Sequence, residues 1–170
     1  MISPDVLREV VIRLGAAVLA GSAIGLDREV RRRPAGLCTH ALVSLGAALL
    51  VVIIVPLTGG AALPNDMLSR VIQGIIVGVG FLGGGTILKN EHGSETVHGL
   101  TTAATIWVTA ALGIACGAGE WAPAVVASLL AIFIVTVGRP VERLVHYIFK
   151  DPKPEDGHRT TTGDDHAPPR

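Results

Sequence analysis

The segment DREVRRRPAGLCTH (Asp27–His40) joins two long apolar stretches and determines how the chain is organised. It contains two carboxylates, four arginines and a histidine, whereas the stretches before it (Val6–Leu26) and after it (Thr39–Leu57) are mainly apolar. A basic segment between two apolar stretches of this length is typical of a transmembrane hairpin whose turn lies at one membrane face. The chain's densest chemistry is therefore predicted at a membrane edge.

Three more apolar stretches follow, and all five have the length of a membrane-spanning helix. Each holds about 17–21 residues, and about 20 are needed to cross a hydrocarbon core of about 30 Å. Helices satisfy their backbone hydrogen bonds internally at this depth, and the stretches are too continuously apolar for barrel strands. We expect an all-α, polytopic integral membrane protein with a transmembrane domain over residues 1–138. The five predicted spans are Val6–Leu26, Thr39–Leu57, Leu68–Leu88, Gly99–Cys116 and Trp121–Val137.

The positions of lysine and arginine predict the orientation, because cytoplasmic loops are enriched in both. Eleven of the fourteen lie on the side of the first loop, and the others are Arg8, Arg13 and Arg70. We therefore expect the amino terminus outside and the carboxyl terminus in the cytoplasm. Glu9 and Asp66 each precede one of these arginines by four residues, which predicts helical ion pairs.

The residues after the fifth stretch predict two different segments. Apolar residues recur at helical spacing over 139–150, which indicates a short amphipathic helix on the cytoplasmic membrane surface. Residues 151–170 are polar and proline-rich without apolar periodicity, and we expect a disordered tail.

The hairpin offers a set of candidate functional residues, although an ordinary positive-inside anchor explains its arginines equally well. Its carboxylates lie close to arginines in sequence, which predicts an ion-pair network. The sequence Pro-Ala-Gly predicts a turn into the second helix, with a threonine as its N-cap. Two of its carboxylates, Asp27 and Glu29, are the candidates for a metal ion. The candidate residues are Asp27, Arg28, Glu29, Gly36, Thr39 and His40.

Small and hydroxyl residues of the third and fourth stretches form a second candidate set. Three consecutive glycines could permit a close crossing, or could cap or unwind a helix. Glycines four residues apart permit close helix crossings, and they occur as Gly21/Gly25, Gly74/Gly78, Gly80/Gly84 and Gly113/Gly117. Threonines at helical spacing, including Thr109, either bond back to the preceding turn or form a polar seam that Gln73 could join. The candidates are Gly78, Gly83, Gly84, Gly85, Thr101, Thr102 and Thr105.

Composition and motifs disfavour several classes of function. The formal net charge is zero and aromatic residues make up 4%, which gives no support to a nucleic-acid interface. The sequence has no catalytic triad, zinc spacing or nucleotide fingerprint, so we expect neither an enzyme nor a cofactor. The predicted spans lack the paired acids expected of a pore for divalent cations. A protein that acts in the bilayer through other membrane proteins, with self-association as a further option, fits better.

Three segments resemble the MgtC/SapB family of bacterial inner-membrane proteins: GSAIGLDREVRRRPAGLCTHALVSLGAALL (Gly21–Leu50), GVGFLGGGTILK (Gly78–Lys89) and VHGLTTAATIWVTAALGIACGAG (Val97–Gly119). The resemblance implies about five transmembrane helices with a cytoplasmic carboxyl end. Its charged motif corresponds to Asp27, Arg28 and Glu29. Two residues depart from the family pattern, since Asp27 replaces a common glutamate and Cys38 replaces a common arginine.

The resemblance also implies a role. Family members are linked to growth under magnesium limitation and to survival of some pathogens in host cells, and the family is generally regarded as regulatory. We therefore expect a non-enzymatic regulator in the bacterial inner membrane, and a small transporter or channel for Mg²⁺ or another ion is the alternative. Larger relatives add a cytoplasmic domain similar to ligand-binding ACT modules, and this chain resembles the short, membrane-only form.

Overall fold

A computed structural model describes residues 3–55, 65–88 and 99–149. Within these residues the chain forms five α-helices and no strand, which confirms the predicted all-α polytopic fold. Four of the helices are long and apolar enough to cross a membrane, and the second is a shorter apolar helix. The helices are α1 (Pro4–Val30), α2 (Leu37–Val52), α3 (Asn65–Leu88), α4 (Leu100–Ala118) and α5 (Trp121–Ile148).

Helix α1 begins and ends with local signals that lengthen it beyond the predicted span. Ser3 is its N-cap and accepts a hydrogen bond from the Val6 amide at 3.4 Å, and Pro4 occupies the first turn. The helix ends at Val30, and Arg31 is its C-cap. Its 27 residues extend about 40 Å at 1.5 Å per residue, so α1 exceeds the hydrocarbon core and carries charged residues at both ends.

Helix α2 is shorter than predicted and begins earlier. It starts at Leu37 with Gly36 as N-cap, so the prediction that Thr39 is the N-cap is wrong. It ends at Val52, and residues 53–55 form a turn rather than continuing to residue 57. The next residue in sequence is a proline, which disfavours helical backbone at Val55. Sixteen residues give a length of about 24 Å, less than the hydrocarbon core of about 30 Å.

Helices α3 and α4 differ in how their glycines act. Helix α3 continues through Gly83, Gly84 and Gly85 to Leu88, so these glycines neither unwind it nor cap it within the described residues. Helix α4, in contrast, is bounded by two glycines with left-handed backbone. Gly99 precedes it with φ 95° and Gly119 follows it with φ 81°, a conformation that glycine adopts without steric cost.

Helix α5 is continuous over 28 residues and includes Pro140. The predicted amphipathic segment therefore does not form a separate helix, because residues 139–148 extend α5. A proline within a helix removes one backbone hydrogen bond, which apolar helices in membranes tolerate where neighbouring groups compensate. The position of this segment at the membrane surface stays a prediction, and the predicted tail over 151–170 lies outside the described residues.

The core of the bundle is α2, which packs between α1 and α4. On one side, an added Cβ at Gly21 would lie 2.5 Å from the His40 carbonyl oxygen of α2. On the other side, an added Cβ at Gly117 would lie 2.6 Å from the Ala48 carbonyl oxygen. Helix α3 packs mainly on α4, and α5 packs more loosely on α1 and α4. The backbones of α1, α2 and α4 approach closely because glycine faces each crossing.

Candidate functional site

The turn between α1 and α2, residues 31–36, is held in a strained conformation. Arg32 and Ala35 have φ values of 51° and 57°, the left-handed region that non-glycine residues seldom adopt. Backbone bonds support it: the Arg32 amide donates to the Glu29 carbonyl at 3.0 Å, and the Arg33 amide donates to the Arg28 carbonyl at 2.9 Å. The conformation leaves the carbonyls of residues 34 and 35 within reach of α1. We call residues 31–36 the arginine turn.

The side chain of Arg28 donates hydrogen bonds to these two carbonyls. Its side chain is buried, with 1% of its surface exposed. Its Nη2 donates to the Pro34 carbonyl at 3.1 Å, and its Nε donates to the Ala35 carbonyl at 3.3 Å. Nη2 also donates to Thr102 Oγ1 at 2.5 Å, which connects α1 to the first turn of α4. The guanidinium thus links the arginine turn to two helices through donors that remain charged at every physiological pH.

Glu29 and Gly36 form a second connection at the same turn. Glu29 Oε2 accepts a hydrogen bond at 3.3 Å from the amide of Leu37, the first residue of α2. This carboxylate supplies the cap that Gly36 itself cannot provide, and a negative charge suits a helix N-terminus. A Cβ at Gly36 would overlap the Glu29 carboxylate. Position 36 therefore needs glycine to leave room for the carboxylate.

His40 lies fully buried in the first turn of α2 and contacts α4. Its Nδ1 lies 3.0 Å from the Gly36 carbonyl oxygen, and its Nε2 lies 3.2 Å from Thr105 Oγ1. Since a carbonyl only accepts, Nδ1 carries a hydrogen and donates it. The Gly25 face of α1 packs against His40, since an added Cβ would lie 3.1 Å from the His40 Cβ.

The threonines of α4 make both kinds of contact that the sequence allowed, which are hydrogen bonds to the preceding turn of α4 and polar contacts with other helices. Thr105 Oγ1 donates to the Thr102 carbonyl at 2.9 Å, and Thr109 Oγ1 donates to the Thr105 carbonyl at 2.8 Å. Thr102 Oγ1 also accepts from Arg28, and Thr105 Oγ1 lies within hydrogen-bond distance of His40 Nε2, so the polar seam exists. Thr101 is exposed and lies off this face. We call Arg28, His40, Thr102 and Thr105 the polar cluster.

Two other predictions about polar residues have different outcomes. Gln73 does not join the seam, because its Nε2 donates at 3.2 Å to Ser69 Oγ on α3 in an exposed position. Of the predicted ion-pair network, the structure shows the pair between Asp27 and Arg31 at 2.7 Å, and the rest of the network stays a prediction. Among the described residues, no group of three His, Cys, Asp or Glu side chains could hold a metal ion.

The glycines predicted at close crossings of α3 also need correction. A Cβ added at Gly78, Gly84 or Gly85 would meet no atom within 4 Å, and only Gly83 faces a neighbour, with Ala103 Cβ at 3.3 Å. The close crossings lie at two other predicted pairs, Gly21 and Gly25 of α1 and Gly113 and Gly117 of α4, which confirms the prediction for those pairs. Both of these pairs have the same four-residue spacing, which the sequence shows, but spacing alone does not identify the helix that lies opposite.

Sequence reasoning missed a role for Arg13 at the other end of α1. The pairing of Arg13 Nε with Glu9 at 2.8 Å confirms the predicted ion pair. In addition, Arg13 Nη1 donates to the Gly117 carbonyl at 3.0 Å, in the last turn of α4. A cation at a helix C-terminus is favourable because unpaired carbonyls accumulate there. An arginine inside a predicted span was the available signal.

Comparisons with known proteins agree with this architecture. The MgtC family profile matches residues 14–144. Protein SrpB of Synechococcus elongatus is 40% identical over 138 residues, which cover 78% of this chain and 76% of SrpB. Protein MgtC of Brucella abortus is 41% identical over 79% of this chain and 53% of its own length. YhiD of Escherichia coli K12 is 40% identical over 76% of this chain and 60% of its own length.

The chain thus spans three quarters of SrpB but little more than half of the other two relatives. No solved structure matches the chain. The matched region includes α4, the arginine turn and most of α1 and α5, and it contains every residue of the polar cluster. Together with its four apolar helices of membrane-spanning length, this identifies a multi-pass membrane protein that belongs to the MgtC family.

Proposed function

We propose that this protein is a non-enzymatic regulator of the bacterial inner membrane that acts through other membrane proteins. The process it serves is magnesium homeostasis or adaptation to stress and to host cells. Family membership supports the link to magnesium, since the relatives include MgtC of Brucella abortus. The predicted excess of Lys and Arg on one side supports an inner-membrane location, with the arginine turn in the cytoplasm.

The observation that carries the regulatory role is the bonding of the polar cluster. A Mg²⁺ site uses oxygen ligands in an octahedral shell, usually with one or two carboxylates. The inward carbonyl oxygens of Pro34 and Ala35 already accept from the guanidinium of Arg28, and so does Thr102 Oγ1. The Gly36 carbonyl likewise accepts from His40. These bonds fix the helices relative to one another, and they occupy the oxygens that a passing cation would need.

The alternative is a small magnesium transporter. The name of the Escherichia coli relative YhiD, a candidate magnesium transporter, favours it. Transport along the α1–α2–α4 interface would require the polar cluster to open and its oxygens to exchange partners. Transport and regulation therefore differ in whether the protein alone moves an ion.

Reconstitution into liposomes separates the two functions. Purified protein is placed in vesicles loaded with a fluorescent Mg²⁺ indicator, and Mg²⁺ uptake is compared with that of empty vesicles and of vesicles with an established magnesium channel. The regulatory role predicts uptake equal to that of empty vesicles, while the same preparation restores growth of a deletion strain in low magnesium. Saturable uptake by the protein alone would establish the transporter.

A second experiment addresses partners directly. Chemical crosslinking in native membranes, followed by mass spectrometry of the purified chain, should recover one or more membrane proteins at constant stoichiometry. Recovery should fall in a variant that folds and accumulates normally but fails to complement. If every complementation-defective variant retains the same crosslinked partners, the proposal that regulation acts through those partners is wrong.

A further inference from the structure

An open groove lies between α2 and α3 and begins at the arginine turn. The part nearest the turn has a volume of about 340 Å³ and is bordered by Pro34, Thr39 and Thr86. The deeper part has a volume of about 430 Å³ and runs beside Gly78. Val43 and Leu82 line both parts, so the two parts adjoin each other. We call the two parts together the α2–α3 groove.

The groove is open because glycines line the facing helices without filling the space. A Cβ added at Gly46 of α2, or at Gly74 or Gly78 of α3, would meet no atom within 4 Å. These glycines do not lie at a close helix crossing, so helix packing does not explain why they are glycine. Helices α2 and α3 meet at only a few points, since α3 packs mainly on α4. A slender apolar group could therefore lie along the groove.

The groove matches a lipid both in its change of polarity from one end to the other and in its length. The end at the arginine turn has the hydroxyls of Thr39 and Thr86, whereas the deeper part is lined by aliphatic residues and glycine. From Thr86 to Gly74 the rise along α3 is about 18 Å. One leaflet is half of a hydrocarbon core of about 30 Å, or about 15 Å. The groove is thus one leaflet deep.

Two basic residues adjoin the polar end in sequence. Arg32 and Arg33 are exposed and immediately precede Pro34 at the groove's edge. Arg31 pairs with Asp27, but no ion pair to Arg32 or Arg33 occurs within the part of the chain that the structure describes. Basic pockets between transmembrane helices bind anionic lipid headgroups. We propose that the α2–α3 groove binds an anionic phospholipid, with its phosphate at Arg32 and Arg33 and an acyl chain along Val43 and Leu82.

Photolabelling of the purified full chain tests this proposal. The probe is phosphatidylglycerol with a photoactivatable diazirine in its acyl chain, and the labelled residues are mapped by mass spectrometry. Labelling should concentrate on α2 and α3 near Val43 and Leu82. Unlabelled phosphatidylglycerol should compete roughly 30-fold better than phosphatidylcholine, the ratio expected from two arginines near an anionic lipid. Glycerol 3-phosphate at the same concentration should not compete.

Matched variants separate headgroup from chain recognition. Arg32→Ala with Arg33→Ala should remove the preference for phosphatidylglycerol, whereas Arg8→Ala with Arg70→Ala removes equal charge elsewhere and should preserve it. Gly78→Leu fills the groove and should reduce labelling at least tenfold. Gly80→Leu changes the same helix away from the groove lining and should leave labelling unchanged. Size-exclusion chromatography and circular dichroism verify that each variant is folded.

The remaining outcomes contradict the proposal. Equal competition by phosphatidylcholine would mean that the arginines do not select an anionic headgroup. Competition by glycerol 3-phosphate would indicate a site for soluble phosphate instead of a lipid. Labelling outside α2 and α3, or undiminished labelling of folded Gly78→Leu protein, would mean that the acyl chain lies elsewhere. None of these results bears on whether the protein transports magnesium.

Discussion

The close crossing of α1 and α2 at Gly21 gives a prediction whose size follows from the structure. Replacing Gly21 by alanine places a Cβ 2.5 Å from the His40 carbonyl oxygen and 2.8 Å from Ser44 Cβ, both on α2. Real Cβ atoms essentially never lie within 3.0 Å of such atoms. Since a carbonyl oxygen inside a helix cannot rotate away, α1 and α2 must separate by about 0.5 Å. A gap of that size forfeits about a quarter of each dispersion contact across the interface.

Overpacking of this kind costs about 1–3 kcal/mol. Alanine is the better helix former by about 1 kcal/mol, but that gain applies equally to a glycine in open space. Gly84→Ala on α3 supplies this control, because its Cβ would meet nothing within 4 Å. We therefore expect Gly21→Ala to be less stable than Gly84→Ala by about 1–3 kcal/mol, with the wild-type protein between them.

The assay is reversible unfolding in mixed micelles as the mole fraction of dodecyl sulfate rises, followed by far-ultraviolet circular dichroism. Gly21→Ala should shift the midpoint to a lower fraction of dodecyl sulfate, and Gly84→Ala should leave it unchanged or raise it. Membrane levels in cells should follow the same order. Equal midpoints for both variants would refute the reasoning, because they would mean that α1 and α2 do not cross at Gly21.

Four further predictions concern other contacts and the orientation in the membrane. Thr102→Val should cost about 1.5–3 kcal/mol in the same assay, since it removes a buried hydrogen bond to a charged group, while the exposed neighbour Thr101→Val should cost little; equal effects would contradict the Arg28 contact. Gly36→Ala should displace the Glu29 carboxylate and lower the free energy of unfolding by about 0.5–2 kcal/mol, the value of a helix cap. Glu29→Gln keeps a hydrogen-bond acceptor, so the protein should insert normally, but it should fail to complement a deletion strain in low magnesium. Full complementation by Glu29→Gln would mean that the hairpin serves only as an anchor. Topology reporters should signal a cytoplasmic position after Arg33 and a periplasmic position after Gly119, and the reverse result would invert the predicted orientation.

The sequence predicted the helices well because a long apolar stretch has few alternatives in a bilayer. Their ends were less predictable, since each depends on a local competition. The Val55–Pro56 pair disfavours helix and accompanies the early end of α2. Pro140 does not end α5, although its ring removes a hydrogen bond in the same way that a helix-ending proline does. Whether a proline ends a helix or lies within it depends on the tertiary surroundings of that helix, which the sequence does not show.

Helix pairing was the main feature beyond the reach of the sequence. The pairs Gly21/Gly25 and Gly74/Gly78 have the same spacing, yet the first contacts α2 and the second faces open space. Spacing shows that a helix can be approached closely, but the approach itself depends on which helix lies opposite. The predictions that Gly78 and Gly84 lie at close helix crossings were wrong for that reason.

The candidate site shows the same limit at the level of single residues. The four arginines of the hairpin are indistinguishable to a count of charge, but only Arg28 is buried. Its position requires the left-handed backbone at Arg32 and Ala35, neither of which is a glycine. No local propensity predicts that conformation, so the partners of Arg28 could not be derived from the hairpin alone.

The polar cluster and the glycine crossings support the same three helices, and this has a consequence for interpreting variants. Arg28 and His40 contact α4 at one end of the bundle. At the same end, Gly21 and Gly25 allow α1 and α2 to approach closely. A disruptive substitution in this region changes helix packing and site geometry together, so a loss of function there does not by itself assign a functional role. Glu29 differs, because glutamine can retain its hydrogen bond to α2 while losing its charge. A functional defect in folded Glu29→Gln protein would therefore report on the charge itself, which separates the chemistry of the hairpin from its contribution to the fold.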